Sequence, residues 1–135
     1  MTDTKTLVAP ANTDLGHADE VIQSIYKQVF GNRHLMELDV NQSLEALFMN
    51  GDLTVQGFVT ALAQSETYRK LFLEPNSPYR FVELNFKHLL GRTPHDQAEL
   101  MAHVRLMNEH GYDAEIASYT YSDEYLQVFG VDQVP

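Results

Sequence analysis

The chain has 135 residues, with nine Lys/Arg against nineteen Asp/Glu for a formal charge of −10, and no cysteine. That length gives one domain, or one domain with a short arm, large enough to bury a core without covalent staples. The composition excludes a disulfide framework, a cysteine nucleophile and thiolate metal ligands, and its acidity opposes general nucleic-acid binding. No apolar run approaches a membrane span, and the N-terminus lacks the basic-then-apolar layout of a signal peptide, so the expectation is a soluble, intracellular protein. Charge is unevenly spread. Five of the nine bases fall between Arg69 and Arg92, against Glu74 and Glu83 alone, whereas eight acids after Thr93 face a single Arg105.

Residues 1–17 are small, polar and aperiodic and read as a flexible arm, leaving 18–135 as the folded domain. A helix is expected from Asp19, with Val21, Ile22, Ile25, Val29 and Phe30 at helical spacing and Gly31 as its stop. Asn32 to Asp39 reads as a loop. A short helix follows from Gln42 to Asn50, stopped by Gly51. Asp52 or Thr54 caps the next, which carries Val55, Phe58, Val59 and Leu62. Ser65 opens a turn ending near Leu73. Ser77-Pro78 pairs an N-cap with proline at the first helical position, and Gly91 closes that helix. Thr93-Pro94 reads as a second such start, for a helix to His110, and short helices from Asp113 and Ser122 finish the chain. Period-two alternation is nowhere sustained. The fold class is therefore all-α, a single compact domain of about seven or eight short helices.

An internal echo runs through this layout. "YKQVFGN" (26–32) resembles "FKHLLGR" (86–92), and "SETYRKLF" (65–72) resembles "SDEYLQVF" (122–129), with Asn-Gly at 50–51 and His-Gly at 110–111 between them. In each half a Ser is placed as N-cap, and a Tyr and a Phe four apart share a helix face. Two similar helical halves sharing one core are expected.

No catalytic constellation stands out. There is no Gly-rich phosphate loop and no G-x-S-x-G elbow. Asp96, Glu99 and His103 line one helical stripe, but metal sites need ligands converging from several elements, and a solvated polar face is the simpler reading. The informative helix is Pro78 to Leu90. At 100° per residue, Tyr79, Val82, Phe86, Leu89 and Leu90 form one apolar stripe and Phe81, Leu84 and His88 a second. Arg80, Glu83 and Lys87 share a polar strip, with Glu83 and Lys87 in the favourable i,i+4 order. The second stripe reads either as another buried face or as a surface offered to a partner, flanked by Arg80, Lys87 and Arg92. The Tyr cluster at 119, 121 and 125 reads as core bodies with wet hydroxyl tips.

Beyond these patterns, "YRFVELNFKHLLGRTP" (79–94), "IYKQVFGNRHLM" (25–36), "NGDLTVQGFVTALAQSETYR" (50–69), "GYDAEIASYTYSDEYLQVFG" (111–130) and the closing "VP" resemble, in order, the phycobilisome linker polypeptides. The resemblance covers residues 18–135. It implies a non-catalytic linker, of rod or core–membrane type, seated in the central cavity of phycobiliprotein trimers or hexamers (phycocyanin or allophycocyanin). It would assemble rods or core and tune bilin energy transfer at the cytoplasmic face of the thylakoid membrane. The domain itself would carry no cofactor, the bilins belonging to the partner, and no metal. Arg80, Phe81, Lys87 and Arg92 match the strongest motif and are the expected partner contacts. Self-association of an isolated domain is a further expectation. Members of that family are usually basic; here Gln56 lies where an Arg is common, Gln64 where a Lys is common, and "MELDV" (36–40) replaces a more polar continuation. The half-repeat is also similar to a broader bacterial helical repeat, which implies the alternative of a protein-binding module outside the antenna.

Overall fold

The computed structural model describes residues 15–30 and 42–135. Among these there are eight helices and no extended strand: α1 (Leu15–Val29), α2 (Gln42–Met49), α3 (Val55–Ala63), α4 (Glu66–Tyr68), α5 (Pro78–Asn85), α6 (Gln97–His110), α7 (Tyr112–Thr120) and α8 (Asp123–Val128). Two of them run on without a break into wider, π-helical turns, α4 through Arg69–Leu73 and α5 through Phe86–Leu90. The expected all-α class holds. Residues 1–14 of the expected arm and the expected loop at 32–39 lie outside the described residues, and α1 begins at Leu15 rather than Asp19.

Helix starts follow local capping chemistry. Thr54, Ser65, Ser77 and Ser122 each accept a hydrogen bond from the backbone N–H three residues on, satisfying a donor that the first turn leaves orphaned. The start of α6 differs from expectation. Thr93-Pro94 is non-helical, and Asp96 is the N-cap, accepting from Glu99 N at 2.9 Å. Glu99 in turn accepts from His95 N at 2.8 Å, a variant of the reciprocal capping box that fixes the helix origin three residues later than the Thr-Pro signal.

The helices share one core, with α7 packed on α3, α6 and the π turn of α5, and α1 packed on α3 and the same π turn. The expected α1 and α3 stripes are all buried. The two halves correspond in detail. Tyr68 and Phe72 have ring centroids 4.7 Å apart, and their counterparts Tyr125 and Phe129 are 5.1 Å apart. Ser65 and Ser122 cap equivalently, and α3 meets its counterpart α7 through Thr60 Oγ1, which lies 2.7 Å from Thr120 Oγ1.

Alpha-helical geometry does not describe α5 to its end. Its buried apolar residues and Asn85 come in pairs, Phe81 and Val82, Asn85 and Phe86, Leu89 and Leu90, with His88 buried beside the last. Pairs four residues apart drift by about 40° per repeat in a helix of 3.6 residues per turn. Widening the last turn takes out part of that drift and brings the pairs onto one face. The two stripes expected at 100° per residue therefore merge into one broad buried face, while Tyr79 is exposed. Gly91 ends the helix at φ +72, with Arg92 N donating to Phe86 O at 3.2 Å. The nearest atom to an added Cβ is Phe129 Cζ at 3.9 Å, an ordinary contact, so only backbone strain opposes a side chain here. Gly91→Ala is expected to cost about 1–2 kcal/mol by urea denaturation; an unchanged midpoint would show that the left-handed turn is not required.

Candidate functional site: the basic helix and the network beneath it

The expected partner contacts separate into two kinds. Arg80 and Lys87 are exposed, Arg80 lying 3.4 Å from Glu83. Phe81 is internal and Arg92 is half-buried. Phe81 is fully buried, stacked on Tyr112 at 5.7 Å and edge-on to Tyr68 at 6.3 Å. Its place on the merged face of α5 sets it in the core of the domain.

Arg92 is engaged within the domain. Its Nε and Nη2 donate to the two Glu124 oxygens at 2.7 and 2.8 Å. Nη1 and Nη2 donate to the two Glu99 oxygens at 3.0 and 2.8 Å, and Nη1 also donates to Thr93 O at 3.0 Å. The guanidinium has five N–H donors and all are used. It also lies 5.0 Å from the Phe86 ring centroid. The two bidentate pairs join the end of α5 to the first turns of α6 and α8. The Arg92 hydrogen bonds hold the Glu99 carboxyl down at about 2 and lower that of Glu124, while the same pairing raises the Arg92 guanidinium further.

Behind this face lies a polar network that patterning did not reveal. Glu115 is fully buried, with Asn85 Nδ2 donating to its Oε1 at 2.9 Å. Asn85 Oδ1 accepts from the Tyr68 hydroxyl at 2.7 Å, which also lies 3.0 Å from His88 Nδ1. His103 Nδ1 is 3.6 Å from Glu115 Oε2, and its ring stacks on Tyr119 at 4.5 Å. Burial, with the Glu115 charge behind it, raises the Tyr119 phenol; burial followed by the charges of Tyr112 and Glu115 raises that of Tyr68. Of the C-terminal Tyr cluster, Tyr119 and Tyr125 are fully buried, hydroxyls included, whereas Tyr121 is exposed. The half-repeat held the missed signal: aligning Ser65 with Ser122 sets Glu115 opposite Phe58, a core position.

Ser118, His103 and Glu115 have the residue types of a nucleophile relay but not its geometry. Ser118 donates its proton to Glu115 O at 2.6 Å, and both Ser118 Oγ and Glu115 Oε2 approach the same imidazole nitrogen. A relay needs one partner on each nitrogen. The Asp96, Glu99 and His103 stripe is likewise dispersed, into a helix cap, the Arg92 pair and the stacked imidazole, and no metal-binding cluster occurs among the described residues. Gln56 and Gln64 donate to the carbonyls of Thr120 and Asp113 at 2.7 and 3.1 Å, tying α3 to α7.

Fold and site together describe an all-helical domain built from two related halves, whose most heavily bonded cation fastens its own helices. The chain belongs to the phycobilisome linker polypeptide family: residues 13–135 match the family described as Phycobilisome Linker polypeptide. It is 47% identical over 93% of its length to the phycocyanin-associated rod linker polypeptide of 37.5 kDa from Microchaete diplosiphon, covering 48% of that protein. It is 49% identical over 85% of its length to the phycoerythrocyanin-associated rod linker of 34.5 kDa from Mastigocladus laminosus, covering 41%. With the phycoerythrin-associated rod linker of 27.9 kDa from Microchaete diplosiphon the identity is 44% over 92% of the chain and 50% of the relative. The chain thus spans about half the length of these relatives, or less.

Proposed function

We propose that this domain is a non-catalytic rod linker unit that binds phycobiliprotein rings in their central cavity, joins them within the phycobilisome at the cytoplasmic face of the thylakoid membrane, and adjusts energy transfer among bilins held by the partner. The observation that carries this reading is family membership over residues 13–135, with relatives named as rod linkers. The exposed cations of α5 support it. In a chain of charge −10, Arg80 and Lys87 are exposed within a segment, 69–92, that holds five bases against two acids, which favours approach to an acidic surface while the rest of the molecule disfavours non-specific contact. The relatives' names point to phycocyanin, phycoerythrocyanin or phycoerythrin as the partner class.

The test is a titration of phycocyanin trimers, with allophycocyanin trimers alongside, followed by sedimentation and visible absorption. Larger assemblies with a red-shifted band are expected with phycocyanin. Arg80→Glu and Lys87→Glu are each expected to weaken binding about three- to tenfold at low salt, with the difference shrinking as ionic strength rises. A folded domain that binds neither ring would overturn the reading and favour a helical binding module outside the antenna.

A further inference from the structure

Tyr79 stands apart from the stripe to which its spacing assigns it. Val82, Phe86, Leu89 and Leu90 are buried, whereas Tyr79 is 45% exposed. One exposed aromatic residue is ordinary on a protein surface. This one walls a groove. The first turn of α5, where Ser77 accepts from Arg80 N at 3.2 Å, meets α6 along a depression of about 280 Å³. Tyr79 lines it from α5, and Met101, Val104, Arg105, Asn108 and Glu109 line it from α6. Met101, Arg105 and Asn108 follow one helical stripe at i, i+4 and i+7, and the buried Val104 forms the base beside them. Arg105 is the lone base after Thr93, and among the described residues no carboxylate lies within ion-pair distance of it. Glu109 is one turn further on, but Arg before Glu at i,i+4 is the weaker order. The fold thus brings the single base of the acidic third to the start of the basic helix.

We infer that this groove docks a segment of the phycobiliprotein partner, one apolar side chain lying between the Tyr79 ring and Met101 over Val104, with a neighbouring partner carboxylate on the Arg105 guanidinium. This rests on the proposed linker reading and extends its contact surface from the α5 cations onto α6. Size and charge select the occupant. At about 280 Å³ the groove falls below the roughly 300–1,000 Å³ of a small-molecule site, and it suits a side chain. Tyr, Met and Arg are enriched where protein interfaces are buried, and an apolar base beside one unpaired cation matches an apolar residue flanked by an acid. The ring contributes affinity, and the guanidinium contributes orientation and on-rate.

The experiment titrates phycocyanin trimers with the full chain as wild type, Tyr79→Ala, Tyr79→Phe, Arg105→Gln and Tyr121→Ala, by sedimentation at low and moderate salt. The replaced side chains are exposed, so each variant keeps the fold, which far-ultraviolet circular dichroism checks. Tyr79→Ala is expected to weaken binding about tenfold at both salt concentrations, because the lost contact is apolar, and Tyr79→Phe to stay within about twofold. Arg105→Gln should weaken it about two- to fivefold at low salt, a loss that shrinks as salt rises. Tyr121→Ala, at an exposed Tyr outside the groove, should bind as wild type does. Wild-type affinity in folded Tyr79→Ala, or in Arg105→Gln at low salt, would overturn the inference, as would an equal loss in Tyr121→Ala. So would self-association of the domain alone that Tyr79→Ala abolishes while ring binding persists, which would give the groove to a second copy. In each of these cases wild type still binds the rings, and the linker reading stands without the groove. A wild type that binds neither ring overturns that reading and the inference with it.

Discussion

Phe81→Ala is expected to destabilise the domain by about 3–5 kcal/mol, the range for deleting a buried aromatic ring from a packed core. The ring is fully buried between Tyr112 and Tyr68, and Tyr68 also carries the hydrogen bond to Asn85. Its loss therefore opens a cavity beside a buried polar chain and not beside aliphatic groups that can collapse into it. Tyr79→Ala, two residues away on the exposed side, is the control, with an expected change within about 0.5 kcal/mol. Urea unfolding followed by far-ultraviolet circular dichroism measures both. If Phe81→Ala left the midpoint unchanged but abolished phycocyanin binding, Phe81 would be a surface contact after all and the packing of α5 described above would be wrong. Phe81→Leu, which keeps most of the volume, separates a cavity effect from loss of ring geometry and should cost about 1–1.5 kcal/mol.

The legible parts of this structure were those decided within one helical turn. The caps at Ser65, Ser77 and Ser122 and the stop at Gly91 require only neighbouring backbone, and the structure has each of them where local chemistry placed it. The repeat was legible because the same local chemistry occurs twice. What sequence reading missed depended on distant partners or on a departure from 3.6 residues per turn. Projecting α5 at a constant 100° split one buried face into two and left open whether Phe81 faced the core or a partner. The bonds of Arg92 could not be read locally either, because its two carboxylates come from 7 and 32 residues further along. A weaker signal did exist, in that Glu99 and Glu124 both fall in the first turns of helices, where a carboxylate is common and its partner unassigned.

Glu115 shows the cost of reading each half alone. By itself it is a first-turn acid, favourable to the helix dipole. Set against Phe58 it is a carboxylate in a core position, which demands partners. Asn85, Tyr68, His88, His103 and Tyr119 surround it from α4, α5, α6 and α7. Such a network costs more to leave half satisfied than an apolar core would, and it fixes one arrangement of the four helices against slippage.

The same logic applied to the surface ends at Arg92. Arg92→Met is expected to lower stability by about 2–3 kcal/mol near neutral pH, since four charge-assisted bonds are lost and two partly buried carboxylates are left facing each other. The pH dependence identifies the cause. Both carboxyls titrate lower in the folded chain than in the unfolded one, Glu99 at about 2. Their contribution is therefore complete above the unfolded carboxylate value of about 4.3, and it fades as pH falls toward about 2. The gap between wild type and Arg92→Met should be widest above about pH 5 and narrow steadily below about pH 4. Arg92→Lys restores the charge but not the fork, and should recover less than half of the loss. Urea titrations at a series of pH values would decide the matter. A gap that stayed constant from pH 7 to pH 2.5 would mean that Arg92 stabilises by packing on Phe86, 5.0 Å away, and that the ion pairs contribute little.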